Sequence, residues 1–388
     1  MLTAQRSAMR SGQRAAFGAG RPGARQRLVA VRPQASAADG AFADYKPTTA
    51  FFFPGQGAQS VGMAKELVAE VPAAKALFDK ASEILGYDLL QVCVEGPKEK
   101  LDTTAVSQPA IYVASLAAVE KLRATEGQAL LDSVDVTCGL SLGEYTALAF
   151  AGAMSFEDGL RLVKLRGESM QAAADAAKSG MVSVIGLDKD KVAALCEAAT
   201  QEVRPRAAPR ARAGGSRAAA PTRADARAPP RGAAPQVGEA KAVRIANFLC
   251  PGNYAVSGSI EGCEAVERLG KDPAFKARMT VRLAVAGAFH TQYMAPAAEK
   301  LQAALAATAI TAPRIPVISN VDAQPHSDPA AIKAILAQQL TSPVQWETTL
   351  TTLLGKGLTK SYEVGPGKVI AGIMKRIDKK AEIINVVA

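Results

Sequence analysis

The chain has 388 residues and a formal charge of +10, from 46 Lys and Arg against 36 Asp and Glu. That charge is concentrated: residues 1–38 hold seven arginines and no acid, and residues 203–235 hold eight arginines and one acid, Asp225, which leaves the rest at about −4. A mildly acidic remainder excludes a basic, aromatic-studded cradle for nucleic acid, and no apolar run approaches the roughly 18 residues that span a bilayer. Five cysteines (Cys93, Cys138, Cys196, Cys250, Cys263) without C-x-x-C spacing point to reduced thiols rather than disulfides or a metal site.

In chain order, residues 1–38 come first, rich in Arg, Ser, Ala and Gly and without a long apolar core. They read as an organellar transit peptide rather than a secretory signal, with a plain disordered terminus as the alternative. A buried strand over 48–53 then runs into Gly55-Gln56-Gly57 and a helix from about Val61. Glycines on both sides of Gln56 let its backbone N–H approach a ligand, as one donor of an oxyanion hole would; an ordinary turn explains the segment equally well when taken alone. A helix over 107–123 leads to a β-branched strand over 134–138 and to Gly139-Leu140-Ser141-Leu142-Gly143, with another helix over 143–152. So sharp a strand-to-helix turn needs glycines flanking the serine, because a Cβ there would clash. It lifts the Ser141 hydroxyl to the end of a sheet and aims helix N-terminal amides at whatever the serine attacks. Ser141 is the candidate nucleophile and the Leu142 amide the second oxyanion donor, although G-x-S-x-G also arises by chance in a chain with 32 glycines.

After a helix over 156–177, strands at 180–186, 242–247, 253–259 and 279–284 enclose helices at 189–201 and 260–270. This βαββαβ order predicts a ferredoxin-like small subdomain at 179–284. It is inserted into a larger layer, 46–178 and 285–388, whose strands at 48–53, 134–138, 315–319, 361–364 and 382–387 alternate with helices, including 291–308. The expected fold is α/β: an α/β-hydrolase-like large domain with a parallel sheet, plus the inserted ferredoxin-like part. Residues 203–236, an Arg/Ala/Pro/Gly tract without aromatics, read as a disordered surface insertion. A binding arm for an acidic partner and a translated intron are its alternatives. Of two histidines, His326 lies among turn formers and is expected to be solvated, whereas His290, between an apolar stretch and a helix, is the better-placed general base for Ser141.

Phe53-Pro54-Gly55-Gln56-Gly57, Gly139-Leu140-Ser141-Leu142-Gly143-Glu144 and Gly287-Ala288-Phe289-His290 stand in the order found in the malonyl-CoA:acyl carrier protein transacylases, which the chain resembles from about Thr48 onward. Leu165-Arg166-Gly167-Glu168-Ser169-Met170, Val317-Ile318-Ser319-Asn320-Val321-Asp322 and Glu363-Val364-Gly365-Pro366-Gly367-Lys368 are similar to that family as well. The resemblance implies Ser141 as the acyl-carrying nucleophile, His290 as the base, and Gln56 and Leu142 as oxyanion donors. It further implies Arg166 as the partner of the malonate carboxylate, Asn320 as a polar neighbour, Gln339 as the residue whose carbonyl orients the histidine, and Phe289 as a side chain that goes with malonyl. Without the resemblance Arg166, on a helix, would be read as solvated.

Two departures stand out: Leu140, a leucine shared with plastid-type members, where the family commonly has histidine, and Asn253 where it tends to have glutamine. The implied activity is malonyl transfer from malonyl-CoA to acyl carrier protein for fatty acid synthesis, with no cofactor or metal, in the chloroplast stroma or alternatively the mitochondrial matrix. The protein is expected to act as a monomer without nucleic acid or membrane partners. A serine thioesterase or hydrolase would share the elbow and the histidine, but it would not need Arg166. Lys368, Lys375 and Arg376 are candidates for docking an acidic carrier, with a solvated helix face as the equal alternative.

Overall fold

A computed structural model describes residues 39–203 and 242–388; the expected leader and all of the Arg-rich insertion but its first residue lie outside the described residues. Among the described residues the strands are β1 (Thr49–Phe53), β2 (Val136–Gly139), β3 (Ser179–Ile185), β4 (Arg244–Cys250), β5 (Asn253–Ser259), β6 (Met279–Arg282), β7 (Val317–Ile318), β8 (Lys360–Val364) and β9 (Glu382–Val386). They form a five-stranded sheet in the order β7-β2-β1-β8-β9 and a four-stranded sheet in the order β4-β5-β3-β6. Every pairing in the first is parallel and every pairing in the second antiparallel.

The reason lies in β1, Thr-Ala-Phe-Phe-Phe, buried from Ala50 onward. A strand apolar on both faces needs a sheet covered on both faces, which parallel crossovers supply. Successive side chains alternate: Phe51 stacks on Phe150 at 5.1 Å between centroids, and Phe52 meets Trp346 edge-on at 6.2 Å on the other face. The Phe51 side is roofed by the helices Thr104–Glu126 and Gly143–Phe150, the Phe52 side by Trp346–Gly355 and Val369–Ile377. Each such buried phenylalanine contributes about 1.5–3 kcal/mol.

The small sheet has one helix-covered face. Val182 and Val184 of β3 pack with Leu195 and Val266 from the helices Lys189–Val203 and Ile260–Leu269, while Met181, facing the opposite way, joins the core of the larger layer. Backbone bonds stitch the two sheets' surroundings together: Val344 N–H donates to the Ala246 carbonyl at 2.8 Å and Phe248 N–H to the Val344 carbonyl at 2.9 Å.

Three expectations shift. The helix expected from about Val61 starts at Lys65, because Gly62 (φ 97°) and Ala64 (φ 67°) are left-handed and break a helical path. The helix expected over 291–308 is a short 3-10 turn, Gln292–Met294, followed by Ala295–Ala307. The strand expected at 315–319 pairs over only Val317–Ile318. At the carboxyl ends of the parallel strands the chain leaves through Pro54-Gly55-Gln56 after β1, Leu140-Ser141-Leu142 after β2 and Ser319-Asn320 after β7. In open parallel sheets this edge is where ligands bind.

Candidate active site

The turn after β2 is as tight as its glycines suggest. A Cβ on Gly139 would lie 1.9 Å from the Gly143 carbonyl carbon, and one on Gly143 would lie 2.2 Å from the Phe53 carbonyl oxygen. Ser141 between them has φ 53°, the left-handed conformation that costs an L-residue energy and marks a nucleophile elbow. The neighbouring turn is packed against it backbone to backbone: Leu140 N–H donates to the Phe53 carbonyl at 3.0 Å, and a Cβ on Gly55 would stand 2.4 Å from the Leu140 carbonyl oxygen. That close approach brings the Gln56 and Leu142 amides to one edge. The Gln56 side chain reaches away, its Nε2 donating to Thr104 Oγ1 at 3.4 Å.

Ser141 Oγ is 2.9 Å from His290 Nε2, and His290 Nδ1 is 2.9 Å from the Gln339 main-chain carbonyl. A carbonyl accepts only, so Nδ1 carries the proton and Nε2 is left to accept from the serine hydroxyl. His290 is buried and also left-handed, with φ 60°. Burial first, and then the Arg166 guanidinium, push its pKa down to about 4, with the Gln339 carbonyl opposing. The imidazole is therefore neutral, as a general base must be. Phe289 is buried in the core of the larger layer, next in sequence to that histidine.

Arg166 is 1% exposed, unlike an ordinary helix arginine. Its Nη1 donates to Gln108 Oε1 at 2.6 Å, and its Nη2 donates to Gln339 Oε1 at 2.9 Å and to Ser141 Oγ at 3.0 Å. The guanidinium carbon lies 5.4 Å from the Tyr145 ring centroid, and Nε has no partner. A buried cation whose hydrogen bonds all go to neutral groups is short of an anion, and its planar fork suits a carboxylate. Asn320 pins the Ser141 turn: its Oδ1 accepts from Ser141 N–H at 2.6 Å and its Nδ2 donates to the Gly139 carbonyl at 2.7 Å.

The structure thus brings Ser141, His290, Arg166, Asn320 and Gln339 into one hydrogen-bonded group, with Gln56, Leu142 and Phe289 alongside. Sequence reasoning missed Gln108 and Glu144, buried polar groups of this same network, and Tyr145, whose ring lies against the Arg166 guanidinium. Glu144 could have been noticed as an acid in the first turn of the elbow helix, and Gln108 as a polar residue within an otherwise apolar helical run. The expectation for His326 is overturned. It is 9% exposed, its Nε2 sits 3.0 Å from Asp322 Oδ2, and it shares a small cavity with Glu144, Leu148 and Ile332. Its turn formers fold inward because Pro325 bridges back onto Ile318 at the sheet edge. Asn253, the second departure, lies 3.2 Å from Ser183 in the small sheet, apart from this group. All five cysteines are buried and unpaired, and among the described residues no group of three or more His, Cys, Asp or Glu is placed to hold a metal ion and no helix is long and apolar enough to cross a membrane.

Residues 50–206 match the acyl transferase domain family. The malonyl CoA-acyl carrier protein transacylase of Bacillus subtilis is 36% identical over 337 residues, covering 87% of this chain and 92% of that protein. The mitochondrial malonyl-CoA-acyl carrier protein transacylase of Homo sapiens is 38% identical over 334 residues, 85% of this chain and 77% of that one. Among solved structures, a malonyl-transacylase in complex with its type II PKS acyl-carrier protein matches with a TM-score of 0.73 at 31% identity, over 87% of this chain and 95% of that one.

Proposed function

The chain belongs to the malonyl-CoA:acyl carrier protein transacylase family, and from that premise we propose that it moves malonyl from malonyl-CoA to the phosphopantetheine thiol of acyl carrier protein, supplying fatty acid synthesis. One observation carries the reading: Arg166, buried and held only by neutral groups, stands 3.0 Å from the same Ser141 Oγ that His290 Nε2 meets at 2.9 Å. Ser141 Oγ attacks the thioester carbonyl while passing its proton to His290 Nε2. The tetrahedral oxyanion meets the Gln56 and Leu142 amides. His290, held in register by the Gln339 carbonyl, returns the proton to the departing coenzyme A thiolate, leaving malonyl-Ser141. The carrier thiol then loses its proton to His290 and attacks the malonyl-Ser141 carbonyl; the ester C–O bond breaks, the malonyl group stays on the thiol, and His290 returns the proton to the departing Ser141 Oγ. Arg166 pairs with the terminal carboxylate, which acetyl donors lack; losing a charged partner in a dry pocket costs about 2–5 kcal/mol. Phe289 closes the malonyl side, and the cycle draws on no cofactor.

The strand order β4-β5-β3-β6 around the helices Lys189–Val203 and Ile260–Leu269 supports a ferredoxin-like reading of 179–284, and the elbow on a parallel sheet supports the α/β-hydrolase-like reading of 46–178 with 285–388. We read the protein as a monomer. Of the candidate docking cations, Lys368 follows the carboxyl end of β8, on the Ser141 edge. Lys375 and Arg376 lie in the last turn of Val369–Ile377, which runs back toward the strands' amino ends, and Lys375 Nζ already donates to the Ala381 carbonyl at 2.6 Å. Lys368 is therefore the better dock. The Leu140 shared with plastid-type members favours the chloroplast stroma; the acid-free leader fits either organelle, and the human relative's mitochondrial name keeps the matrix as the alternative.

Intact-mass spectrometry of the protein from residue 39 onward, incubated with malonyl-CoA and then with holo-acyl carrier protein, tests the reading. The expected result is a malonyl adduct on Ser141 that moves to the carrier and does not form from acetyl-CoA, with Arg166→Ala losing that preference. An adduct that drains to free malonate with no carrier labelled would instead identify a hydrolase.

A further inference from the structure

Glu144 opens the elbow helix and is 3% exposed, yet it touches none of the reacting atoms. Its Oε2 accepts from Gln339 Nε2 at 2.6 Å and from Asn320 N–H at 3.1 Å, partners 195 and 176 residues further along the chain. Each of those residues holds something that reacts. Asn320 Oδ1 takes the Ser141 amide, while Gln339 presents its carbonyl to His290 Nδ1 and its Oε1 to Arg166 Nη2, and its Nε2 also donates to the Ser141 carbonyl at 3.0 Å. A single carboxyl oxygen therefore joins three distant segments at the point where nucleophile, base and guanidinium converge.

We propose that Glu144 is a positioning residue for acyl transfer, setting the Gln339 side chain and the Asn320 backbone and through them the geometry of Ser141, His290 and Arg166 at once. The amide orientation of Gln339 follows directly: with Nε2 committed to Glu144, Oε1 must face Arg166. Remove the acceptor and only the Ser141 carbonyl still holds Nε2, so the amide can more readily turn over, aiming an N–H at a guanidinium. The position of the acceptor is what matters, rather than its charge. Burial pushes the Glu144 carboxyl up to about 7 against the Gln339 and Asn320 hydrogen bonds, with Asp322 and His326 also facing it, and a proton on Oε1 leaves Oε2 accepting as before.

The inference rests on the malonyl-transfer reading, and wild-type transfer is the control that isolates it: absence of that activity rejects the reading itself. In the full chain, kcat, KM and the malonyl-over-acetyl preference are compared for Glu144→Gln and Glu144→Asp, which retain a polar side chain at the buried site. Glutamine keeps an acceptor at the same reach and should stay within about 3-fold of wild type on all three. Aspartate keeps the charge but withdraws the oxygen by one methylene, so kcat and the preference should both fall by about 10-fold or more, as misplacement on the ångström scale does. A purely structural role would lower Tm in either variant while leaving the preference of the folded molecules unchanged. Aspartate matching or outperforming glutamine, or a preference that stays at the wild-type value in Glu144→Asp, overturns the proposal.

Discussion

His290 and His326 are both buried, and each has a ring nitrogen beside an oxygen: 2.9 Å to the Gln339 carbonyl for one, 3.0 Å to the Asp322 carboxylate for the other. By partner chemistry alone His326, with its acid, looks more like half of a catalytic triad. What separates them is the other side of the ring and the backbone beneath. His290 Nε2 meets a serine at the carboxyl ends of the parallel strands, from a left-handed φ that only a strongly determined surrounding sustains. His326 packs behind the elbow helix with Leu148 and Ile332. A histidine–carboxylate contact is therefore no guide to function until the nucleophile has been located. Acyl transfer between thiols, less demanding than amide cleavage, is served by a histidine whose partner is only a carbonyl.

That contrast can be broken or sharpened by experiment. The largest effect is expected from His290→Ala: loss of the base should slow malonyl-Ser141 formation by about 10²–10⁴-fold in a rapid-quench assay. Next comes acid pH. An exposed histidine takes a proton near 6.5, but His290 does so only near 4, so kcat/KM should hold level from neutral to about pH 5 and fall as pH drops through 4. A decline that begins at 6.5 would show that the imidazole is solvated. The smallest effect belongs to His326→Ala. Its lost hydrogen bond to Asp322 should cost about 1 kcal/mol in urea unfolding, while malonyl transfer stays within about 3-fold of wild type. A collapse of transfer in folded His326→Ala protein would erase the distinction between the two regions.

How legible each part was follows from how far its causes lie along the chain. The Ser141 turn is a local matter: a strand, two glycines without room for Cβ atoms, and a helix all fall within 20 residues. The small sheet was equally plain, because its four strands are interleaved with two helices whose starts are capped locally, as Ser259 Oγ does for Gly262 N–H at 3.0 Å. The start of the helix at Lys65 was misplaced because Ala64 adopts a left-handed turn that no local preference of alanine announces. His326 was misread for the opposite reason. Its segment has the composition of a surface turn, and only its return onto Ile318 carries it inside.

By itself the sequence determined the elbow, the parallel and antiparallel layers and, through family motifs, the choice of Ser141, His290 and Arg166 as site candidates, which the structure brings together. Only the tertiary structure decided that Arg166 is a buried cation among neutral partners, and that Glu144 and Gln108 belong to the site at all. The physical reason is separation. The bonds that define those roles join residues 25 to 195 positions apart, and a hydrogen bond across such a distance leaves no periodicity, turn residue or composition by which a linear reading would find it.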